Sequence, residues 1–453
     1  MPTTEEKILR LATKLHLEGN LKEAASAYRN YLAKEPNNAD AWSNYAVLLR
    51  KQCKHLASIG VHKRALELAP DNISILSHYA NTLSDNGNYI ESIEIKRRIL
   101  AKDPDNVEQI RTLAAAMRGC WLNQDVIDFI DEAEGRLGSE PEFHLQRALA
   151  HLMLGNFRRG FADFESRFEC TEINLPDRIP WPRWSGQKLA GKSIVVIPEQ
   201  GLGDTILVSR FLPFLKAQGP RIYMVVKQPL RRLFSKLDGL DEMRDAVTID
   251  EHFDYYIPVM SLPHWVNIRD DDLPPPPRLF IPADSRKRAQ SIISPFKNRF
   301  RIGVVWTGSK NYNANHHRSV QPECFVGLAK LPGVQLFSLH KGDVEKEFTR
   351  SGMAGLIVDS CKGDRDLADT AALIDNLDLL ITTDTAVVHI AAAMGKPVWN
   401  LLAHESFWAY GAGETTPWYP SMRLFRQRIQ GDWEELFQRV EVELRRLLEN
   451  QSP

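Results

Sequence analysis

The chain has 453 residues, of which 43 % are apolar and 25 % are charged. These proportions are those of ordinary globular proteins and exclude a disordered, collagen-like or disulfide-stapled chain. The formal net charge of −1 offers no electrostatic basis for binding nucleic acid or a membrane surface. At about 150 residues per domain, the length favours about three domains.

The five cysteines are scattered and contain no Cys-x-x-Cys pair, so the sequence indicates neither a zinc ribbon nor a redox motif. An odd, dispersed set of cysteines is typical of a reducing compartment. The chain begins with polar residues and contains no apolar run of about 18 residues, as a membrane span would require. We therefore expect a cytoplasmic protein without a membrane span, and the sequence leaves a homo-oligomer open.

A period of 34 residues runs through the first third of the chain. Three kinds of residue follow it: the prolines Pro36, Pro70 and Pro104, the alanines Ala12, Ala46, Ala80, Ala114 and Ala148, and, at twice the interval, Gly-Asn pairs beginning at Gly19, Gly87 and Gly155. This period is typical of the tetratricopeptide repeat, a helix–turn–helix unit. The sequence predicts a solenoid over residues 1–172, with about five units that begin near residues 5, 39, 73, 107 and 141.

Each recurring residue has a physical role in such a unit. The alanines lie where two helices cross closely, the Gly-Asn pairs provide a left-handed turn, and the prolines follow the second helix. Stacked units form a concave groove, where the peptide-gripping position is occupied by Arg10, Asn44 and His78. Because only one of these is asparagine, a peptide-binding groove and a scaffold for dimerisation or domain docking remain equally open.

A proline- and tryptophan-rich segment over 173–190 predicts an extended linker that lies across a domain surface. Beyond it, short apolar runs alternate with helical segments, which predicts two Rossmann-like parallel sheets, over 191–296 and 297–453. The expected strands lie at 192–198, 221–226, 255–259, 301–308, 334–339, 355–358, 379–382 and 397–402. The expected helices lie at 206–216, 230–237, 322–329, 367–377, 386–394 and 433–448. Ligands of such folds bind at the carboxyl ends of the strands.

The turn after the first of these strands reads Gly201-Leu-Gly-Asp-Thr. Glycines such as Gly203 let the backbone approach a ligand closely, and Asp204 is suited to take a proton from a hydroxyl group as a general base. A plain helix-capping role for Asp204 is the alternative.

Three further strand ends carry polar residues that favour a phosphate group. The loop from Thr307 contains Arg318 and Ser319, and a guanidinium matches phosphate oxygens, whereas His316 and His317 favour a solvated loop. Lys341 directly follows another strand. In the third segment Asp384, Thr385 and Ala386 open a helix, with His389 one turn on, and the amides of such a helix favour an anion. Asp369 is either a helix cap or an acceptor for ribose hydroxyls.

Seven segments resemble a known family: Glu199-Gln-Gly-Leu-Gly-Asp-Thr, Val305-Trp-Thr-Gly, Ser338-Leu-His-Lys-Gly, Asp369-Thr-Ala-Ala-Leu-Ile, Thr383-Asp-Thr-Ala-Val-Val-His-Ile-Ala, Gly395-Lys-Pro-Val-Trp and Pro417-Trp-Tyr-Pro-Ser-Met-Arg-Leu-Phe-Arg. They resemble bacterial tetratricopeptide-repeat glycosyltransferases, whose catalytic half is similar to the heptosyltransferases and has the two-domain GT-B fold. The resemblance spans nearly the whole chain.

The resemblance implies an inverting, metal-independent transfer of a sugar from a nucleotide-sugar substrate, with no cofactor and with Asp204 as the catalytic base. By the resemblance, contacts to the donor diphosphate are expected from Lys341, Asp384, Thr385 and His389, and the loop with Arg318 and Ser319 completes the phosphate site. With the residues singled out above, the predicted nucleotide-sugar site comprises Gly203, Thr307, Arg318, Ser319, Lys341, Asp369, Asp384, Thr385, Ala386 and His389. Heptosyltransferases usually have glycine where this chain has Ala386, so the donor sugar need not be a heptose.

In relatives that join repeats to this catalytic half, the acceptor is often a protein such as flagellin. The resemblance therefore implies transfer to a serine or threonine hydroxyl of a protein that the repeats recruit. Transfer to a polysaccharide or lipid-linked glycan is the alternative within the same class of enzyme. A non-catalytic interaction scaffold is the alternative outside that class.

Overall fold

The computed structural model describes residues 3–170, 179–309, 313–342 and 344–450. Contacts between residues divide the chain into two compact units, Met1–Ala150 and His151–Pro453. Residues 173–178 of the predicted linker lie outside the described residues. No helix within the described ranges is long and apolar enough to cross a membrane.

The first unit is built of paired antiparallel helices. The described helices of the repeat region are α1 Thr4–Leu17, α2 Leu21–Lys34, α3 Ala39–Lys51, α4 His55–Leu68, α5 Ile73–Asp85, α6 Tyr89–Leu100, α7 Val107–Gly119, α8 Asn123–Leu137, α9 Pro141–Met153 and α10 Phe157–Asp163. The first helix of each pair begins within one residue of a predicted start. The predicted fold of this region, a tetratricopeptide-like helical array, is confirmed.

Packing explains why the same residue types recur. Ala12, Ala46 and Ala80 have no exposed surface, since each lies where helices of one unit cross. The hydroxyl groups of Ser58 and Ser92, twelve residues after Ala46 and Ala80, donate to the carbonyl oxygens of those alanines at 2.8 Å. Small residues at both positions thus allow close helix contact and leave no buried hydroxyl unpaired.

The turn inside each repeat requires a left-handed backbone. Gly19 and Gly87 adopt it with φ of 79° and 85°, which costs glycine little. The second and fourth units have Cys53 and Trp121 at the same position, with φ of 57° and 62°. Two units therefore hold a side chain in a conformation that L-residues rarely adopt.

We expect Cys53→Gly to stabilise the repeat unit by about 0.5–1 kcal/mol, because glycine relieves left-handed strain at an exposed position. The measurement is thermal or urea unfolding of the full chain under reducing conditions. Cys53→Ala is the matched control, since it removes the thiol but keeps the Cβ atom, and it should leave the unfolding midpoint unchanged. Equal midpoints for the glycine and alanine variants would contradict the prediction.

The second unit contains two parallel sheets. The described strands are β1 Ser193–Ile197, β2 Arg221–Val225, β3 Glu242–Arg244, β4 Tyr255–Pro258, β5 Phe300–Val305, β6 Val334–Ser338, β7 Ile357–Asp359, β8 Leu379–Thr383, β9 Val398–Leu402 and β10 Met422–Arg426. Their order is β3-β2-β1-β4 in one sheet and β10-β9-β8-β5-β6-β7 in the other. Neighbouring strands pair in parallel throughout the described registers, so the predicted α/β class is confirmed.

The described helices of this unit after α10 cover the sheets and connect their strands. They are α11 Leu202–Val208, α12 Leu212–Lys216, α13 Leu262–Trp265, α14 Ala283–Ile293, α15 Val326–Ala329, α16 Val344–Ser351, α17 Leu367–Asp375, α18 Ala386–Ala393 and α19 Trp433–Glu449. Because α11 begins at Leu202, earlier than predicted, Asp204 lies in the first turn of the helix.

The predicted helix at 230–237 is wrong. The chain there forms one 3-10 turn at Gln228–Leu230 and then further turns. Leu230, Leu233 and Phe234 are buried at helical spacing, which explains the prediction. The carbonyl oxygen of Leu233, however, accepts a hydrogen bond from the backbone of Phe280, so a tertiary contact replaces the helical one.

The described end of the predicted linker, residues 179–190, lies along the first sheet. The backbone of Trp184 donates to Tyr256 in β4 at 2.8 Å, and Tyr256 donates back to Pro182 at 3.0 Å. Both Trp181 and Trp184 are buried, and their indole nitrogens donate to backbone carbonyls. The aromatic side chains thus hold this extended segment against the domain.

Candidate active site

Two helix starts meet where strands β1 and β8 end. An added Cβ atom on Gly203 would lie 2.7 Å from Cδ2 of His389 and 3.6 Å from Cα of Ala386. Real Cβ atoms do not approach other atoms as closely as 2.7 Å. Glycine at 203 therefore lets α11 approach the His389 ring this closely, and the structure brings Gly203, Ala386 and His389 together.

Asp204 lies in this contact region, in the first turn of α11. Its Oδ2 accepts a hydrogen bond from the backbone of Gly201 at 2.9 Å, so the carboxylate also caps the helix start. Desolvation raises the pKa of Asp204 to about 6. The hydrogen bond from Gly201 lowers this pKa, whereas the negative charge of Asp384 raises it further. The group is ionised at neutral pH yet is a better base than an ordinary aspartate.

Asp384 is held by groups from two other loops. The hydroxyl of Tyr410 donates to it at 2.8 Å, and Nη1 of Arg318 lies 3.8 Å from its Oδ2. Burial raises the pKa of Asp384, while the nearby Arg318 opposes that rise. The structure thus connects the loop after β8 to Arg318.

Asn315 organises the loop that carries Arg318. Its amide nitrogen donates to the Thr307 hydroxyl at 3.0 Å, and its carbonyl oxygen accepts from Nε of Arg318 at 3.1 Å. The hydroxyl groups of Thr307 and Ser319 lie 2.7 Å apart. Thr307, Arg318 and Ser319 therefore form one cluster, as the sequence predicted. The rings of His316 and His317 are tilted by 41° to each other, with centroids 3.9 Å apart.

The start of α18 contains unpaired polar atoms. The hydroxyl oxygens of Thr383 and Thr385 are buried and have no hydrogen-bond partner in the described part of the chain. Thr385 is the N-cap residue, but its side chain makes no capping bond. Since the backbone amides here also favour negative charge, the arrangement suits an anion with several acceptor oxygens.

His389 is neutral in this environment. Burial, with the charge of Arg210, lowers its pKa to about 3, and its Nδ1 lies 3.2 Å from the hydroxyl of Tyr419. Arg210, in the 3-10 turn Ser209–Phe211 that follows α11, donates to the carbonyl oxygens of Trp418 and Pro274 at 3.0 and 3.1 Å. A contact between His389 and a ligand phosphate would therefore be a neutral hydrogen bond, not an ion pair.

Sequence reasoning missed four residues of this region: Tyr410, Tyr419, Arg210 and Asn315. Tyr419 lies in a segment that carried the family resemblance, so that segment was a signal for it. Tyr410 and Arg210 follow no local pattern, because their contacts join positions far apart in the chain. Asn315 contacts Thr307 and Arg318 of its own loop, but an asparagine in a polar loop carries no distinctive signal.

Lys341 and Asp369 lie in a separate polar cluster. Nζ of Lys341 donates to the backbone of Asp366 at 2.8 Å and lies 3.4 Å from the carboxylate of Asp364. Asp369 is fully buried and accepts from Arg365 at 2.7 Å and from Ser285 at 2.6 Å.

The N-cap residue of α17 is Asp366, and Asp369, in the first turn, also accepts a hydrogen bond from the backbone of Arg365 at 3.0 Å, so it contributes to the helix start. Its hydrogen bonds hold the pKa of Asp369 well below its usual range despite burial. The described contacts of Lys341 and Asp369 are with this chain's own charges, and the structure does not join them to the group around Asp204.

Comparison with known proteins relates part of the second unit to a family of glycosyltransferases. Residues 334–431 match the model of the family described as Glycosyltransferase family 9 (heptosyltransferase). This range contains Lys341, Asp384 and His389. The predicted resemblance to heptosyltransferase-like glycosyltransferases is confirmed.

Among individual relatives, Protein FlbA of Caulobacter vibrioides is 30 % identical over 344 residues, which cover 69 % of this chain and 57 % of FlbA. The chain therefore spans a little over half the length of this relative. A crystal structure of a family 9 glycosyl transferase from Veillonella parvula covers 53 % of this chain and 88 % of its own, at 16 % identity and a TM-score of 0.42. MamA from Desulfovibrio magneticus covers 37 % of this chain and 95 % of its own, at 15 % identity and a TM-score of 0.33.

Proposed function

We propose that this protein is a glycosyltransferase that moves a sugar from a nucleotide-sugar donor to an acceptor hydroxyl. The observation that carries the proposal is the approach of two helix starts at Gly203 and His389. It sets a carboxylate of raised pKa beside a helix start with buried, unpaired hydroxyl groups. A base next to an anion site is what such a transfer needs.

In the proposed reaction Asp204 accepts the proton of the acceptor hydroxyl. The hydroxyl oxygen forms a bond to the anomeric carbon while the bond from that carbon to the donor phosphate breaks, which inverts the anomeric centre. The nucleoside diphosphate leaves with the electron pair of the broken bond.

The leaving diphosphate carries negative charge that something must stabilise. We assign this role to the amides at the start of α18, the hydroxyl groups of Thr383 and Thr385, and the guanidinium of Arg318. These groups are preorganised donors, the type that stabilises developing charge most effectively. The proposal accordingly requires no metal ion and no cofactor.

The acceptor in this proposal is a serine or threonine hydroxyl of a protein that the helical repeats recruit. Helical repeat arrays present extended surfaces of this kind, and the repeats here are confirmed. A polysaccharide or lipid-linked glycan acceptor would give the same donor chemistry and is separated from a protein acceptor by the assay below.

The experiment is transfer and binding across a panel of nucleotide sugars, with the full-length chain. We expect one donor to raise the melting temperature by several degrees at a hundredfold excess over its dissociation constant, about 2.7 kcal/mol of stabilisation. Labelled sugar should then appear on candidate acceptor proteins, or on glycans if the alternative acceptor is correct. Neither stabilisation nor transfer with any donor, in the presence of both acceptor classes, would favour a non-catalytic scaffold.

We expect Arg318→Met to weaken donor binding about 10- to 100-fold, because it removes a charged donor worth about 1.5–3 kcal/mol. Isothermal titration with the donor, and with the matching nucleoside monophosphate, measures the loss. Arg278→Met, which changes an exposed arginine of the same unit, is the control and should bind normally. Equal affinity of the Arg318 variant and the control would remove Arg318 from the proposed phosphate site.

A further inference from the structure

The segment 157–168 belongs to the repeat array by its sequence period, yet its side chains contact the loops of the candidate active site. It consists of α10 and the following 3-10 turn, Phe164–Phe168, and lies within the second compact unit. We call it the bracket segment.

The polar contact of the bracket segment is made by Arg167, which has no exposed surface. Its Nε and Nη2 donate to the two carboxylate oxygens of Glu199 at 3.0 and 3.1 Å. Its other donors bind the carboxylate of Glu165 at 2.8 Å and the hydroxyl of Ser261 at 2.7 Å. Arg167 therefore binds Glu199 in a bidentate ion pair and links the loop after β1 to the turn after β4.

Glu199 is the partner of Arg167 in the loop 199–205, which carries Asp204. Glu199 lies two residues after the end of β1 at Ile197 and precedes Gln200, which has a left-handed φ of 57°. The carbonyl oxygen of Gln200 accepts from Nζ of Lys227 at 3.0 Å, and Gly201 then donates to Asp204. A strained backbone of this kind persists only where its surroundings hold it, and Arg167 and Lys227 hold it on both sides.

The ion pair between Arg167 and Glu199 is buried, so its loss would be strongly destabilising. Glu199 is 8 % exposed, and desolvation raises its pKa while Arg167 opposes the rise. Removing the guanidinium would leave a buried carboxylate without its main partner, which destabilises its position strongly. The loop would then shift toward solvent, or Glu199 would take up a proton. Either change alters the surroundings of Asp204.

The apolar contacts of the bracket segment reach the other half of the site. The ring of Phe161 packs edge-on against Trp408, with centroids 5.4 Å apart, and Phe157 packs against Trp418 at 5.1 Å. These tryptophans stand two residues before Tyr410 and one residue before Tyr419, the tyrosines that bind Asp384 and His389. The same short segment thus supports loops from both sheets.

We propose that the bracket segment is a positioning element of the candidate active site, with Arg167 as the residue that holds the Asp204 loop through Glu199. This inference rests on the proposed function for its kinetic consequence, but its structural consequence can be measured without turnover. Arg167 touches no substrate in this proposal and acts only through Glu199.

The test compares Arg167→Met with Arg158→Met, both in the full-length chain. Arg158 is in the same segment and has an exposed side chain. Its variant makes the same arginine-to-methionine replacement but removes only a surface charge. Hydrogen exchange of the peptide covering residues 199–205 is the first readout. We expect at least a tenfold faster exchange in Arg167→Met and no change in Arg158→Met, whether or not a donor has been found.

Kinetics provides the second readout once a donor is known. We expect Arg167→Met to lower kcat about 10- to 100-fold, as a loop displaced by about 1 Å does, while the dissociation constant of the donor stays within about twofold. Arg167→Lys should recover little, because an ammonium group cannot form the fork to Glu199. Should Arg167→Met fail to fold, Glu199→Gln weakens the same contact while keeping the side-chain shape, and it takes the place of Arg167→Met in both readouts.

Unchanged exchange at 199–205 in the folded variants would overturn the proposal, and so would a loss of donor binding proportional to the loss of kcat. A wild-type chain that transfers no sugar would contradict the proposed function alone. Faster loop exchange in Arg167→Met would still support the positioning role in that case.

Discussion

Replacing Asp204 by asparagine should lower the rate of sugar transfer by about 10²- to 10⁴-fold, the usual contribution of a general base. Asparagine can still accept the hydrogen bond that Gly201 donates at 2.9 Å, so the helix start should keep its geometry. Donor affinity should therefore stay within about twofold of that of the wild-type chain. Single-turnover transfer assays and donor titration measure the two quantities separately.

The pKa of about 6 for Asp204 also predicts the pH dependence of transfer. The base must be ionised, so kcat should fall about tenfold per pH unit below pH 6 and reach a plateau above pH 7. A pH profile measured at saturating donor and acceptor tests this expectation. A wild-type plateau that extends below pH 5 would contradict a base with this pKa.

Stability should change in the opposite sense to activity. Because the folded state raises the pKa of Asp204, its charged form is disfavoured, and the stability of the wild-type chain decreases as the pH rises from about 4 through 6. Asp204→Asn avoids this cost, so it should unfold with a free energy about 1–2 kcal/mol higher at pH 7.5 and nearly equal at pH 4.

Asp204→Ala is the control that separates the charge from the cap. It removes the hydrogen bond with Gly201 as well as the charge and should lose about 1 kcal/mol relative to Asp204→Asn. An asparagine variant that is less stable than the wild-type chain at pH 7.5, yet fully active, would assign Asp204 to helix capping alone.

Replacing Gly203 by alanine should reduce kcat/KM about 100-fold and lower the free energy of unfolding by about 1–3 kcal/mol. The added Cβ would lie 2.7 Å from Cδ2 and 3.1 Å from Nε2 of His389, so the buried His389 ring must shift or α11 must move away from it. Overpacking in a buried contact destabilises a protein by about 1–3 kcal/mol. A displacement of about 1 Å at reacting groups slows a reaction by about 100-fold. Steady-state kinetics and thermal unfolding measure both effects.

Two variants control for the effects of the methyl group itself. Gly60→Ala adds the same group inside α4, where nothing lies within 4 Å of the new Cβ, and should stabilise the chain by about 0.5–1 kcal/mol. Gly203→Ala combined with His389→Ala removes the clashing ring and should recover much of the stability but little of the activity. Normal kinetics in Gly203→Ala would show that the close approach of α11 and α18 is not needed for transfer.

The repeat array was predictable because its signals are local. The alanines, Gly-Asn pairs and prolines repeat with the period of a helix pair, and backbone geometry converts each into a crossing, a turn or an end. Cys53 and Trp121 show the limit of that approach. The left-handed conformation that the period requires at these positions is present, but the residue types do not indicate it.

Errors in the second unit arose where tertiary contacts replaced local ones. Residues 230–237 have helical spacing of apolar side chains, yet Leu233 bonds the chain near Phe280. The short strand β3 and the edge strand β10 have no strong apolar run, and the sequence did not predict them. Strands at the edge of a sheet have fewer buried side chains, so hydrophobic patterning indicates them weakly.

The candidate site divides in the same way. Strand ends followed by Gly203, Asp204, Thr307, Arg318, Asp384 and His389 were recognisable, because the carboxyl ends of parallel strands lie on one edge of a sheet. The sequence offered no means to know that Asp369 is fully buried between Arg365 and Ser285, or that Lys341 binds Asp364 and Asp366. The partners of Lys341 and Asp369 depend on how helices α14 and α17 pack against each other.

The sequence by itself determined the class of each region: the 34-residue helical array, the parallel α/β segments and the strand ends that carry polar side chains. Backbone geometry and hydrophobic period act over a few residues and can be read directly. Only the tertiary structure decided that Gly203 meets His389, that Tyr410 binds Asp384 and that Arg167 holds Glu199. Each of these pairs joins residues that are at least 26 positions apart, and their contact depends on the packing of whole elements rather than on any local pattern.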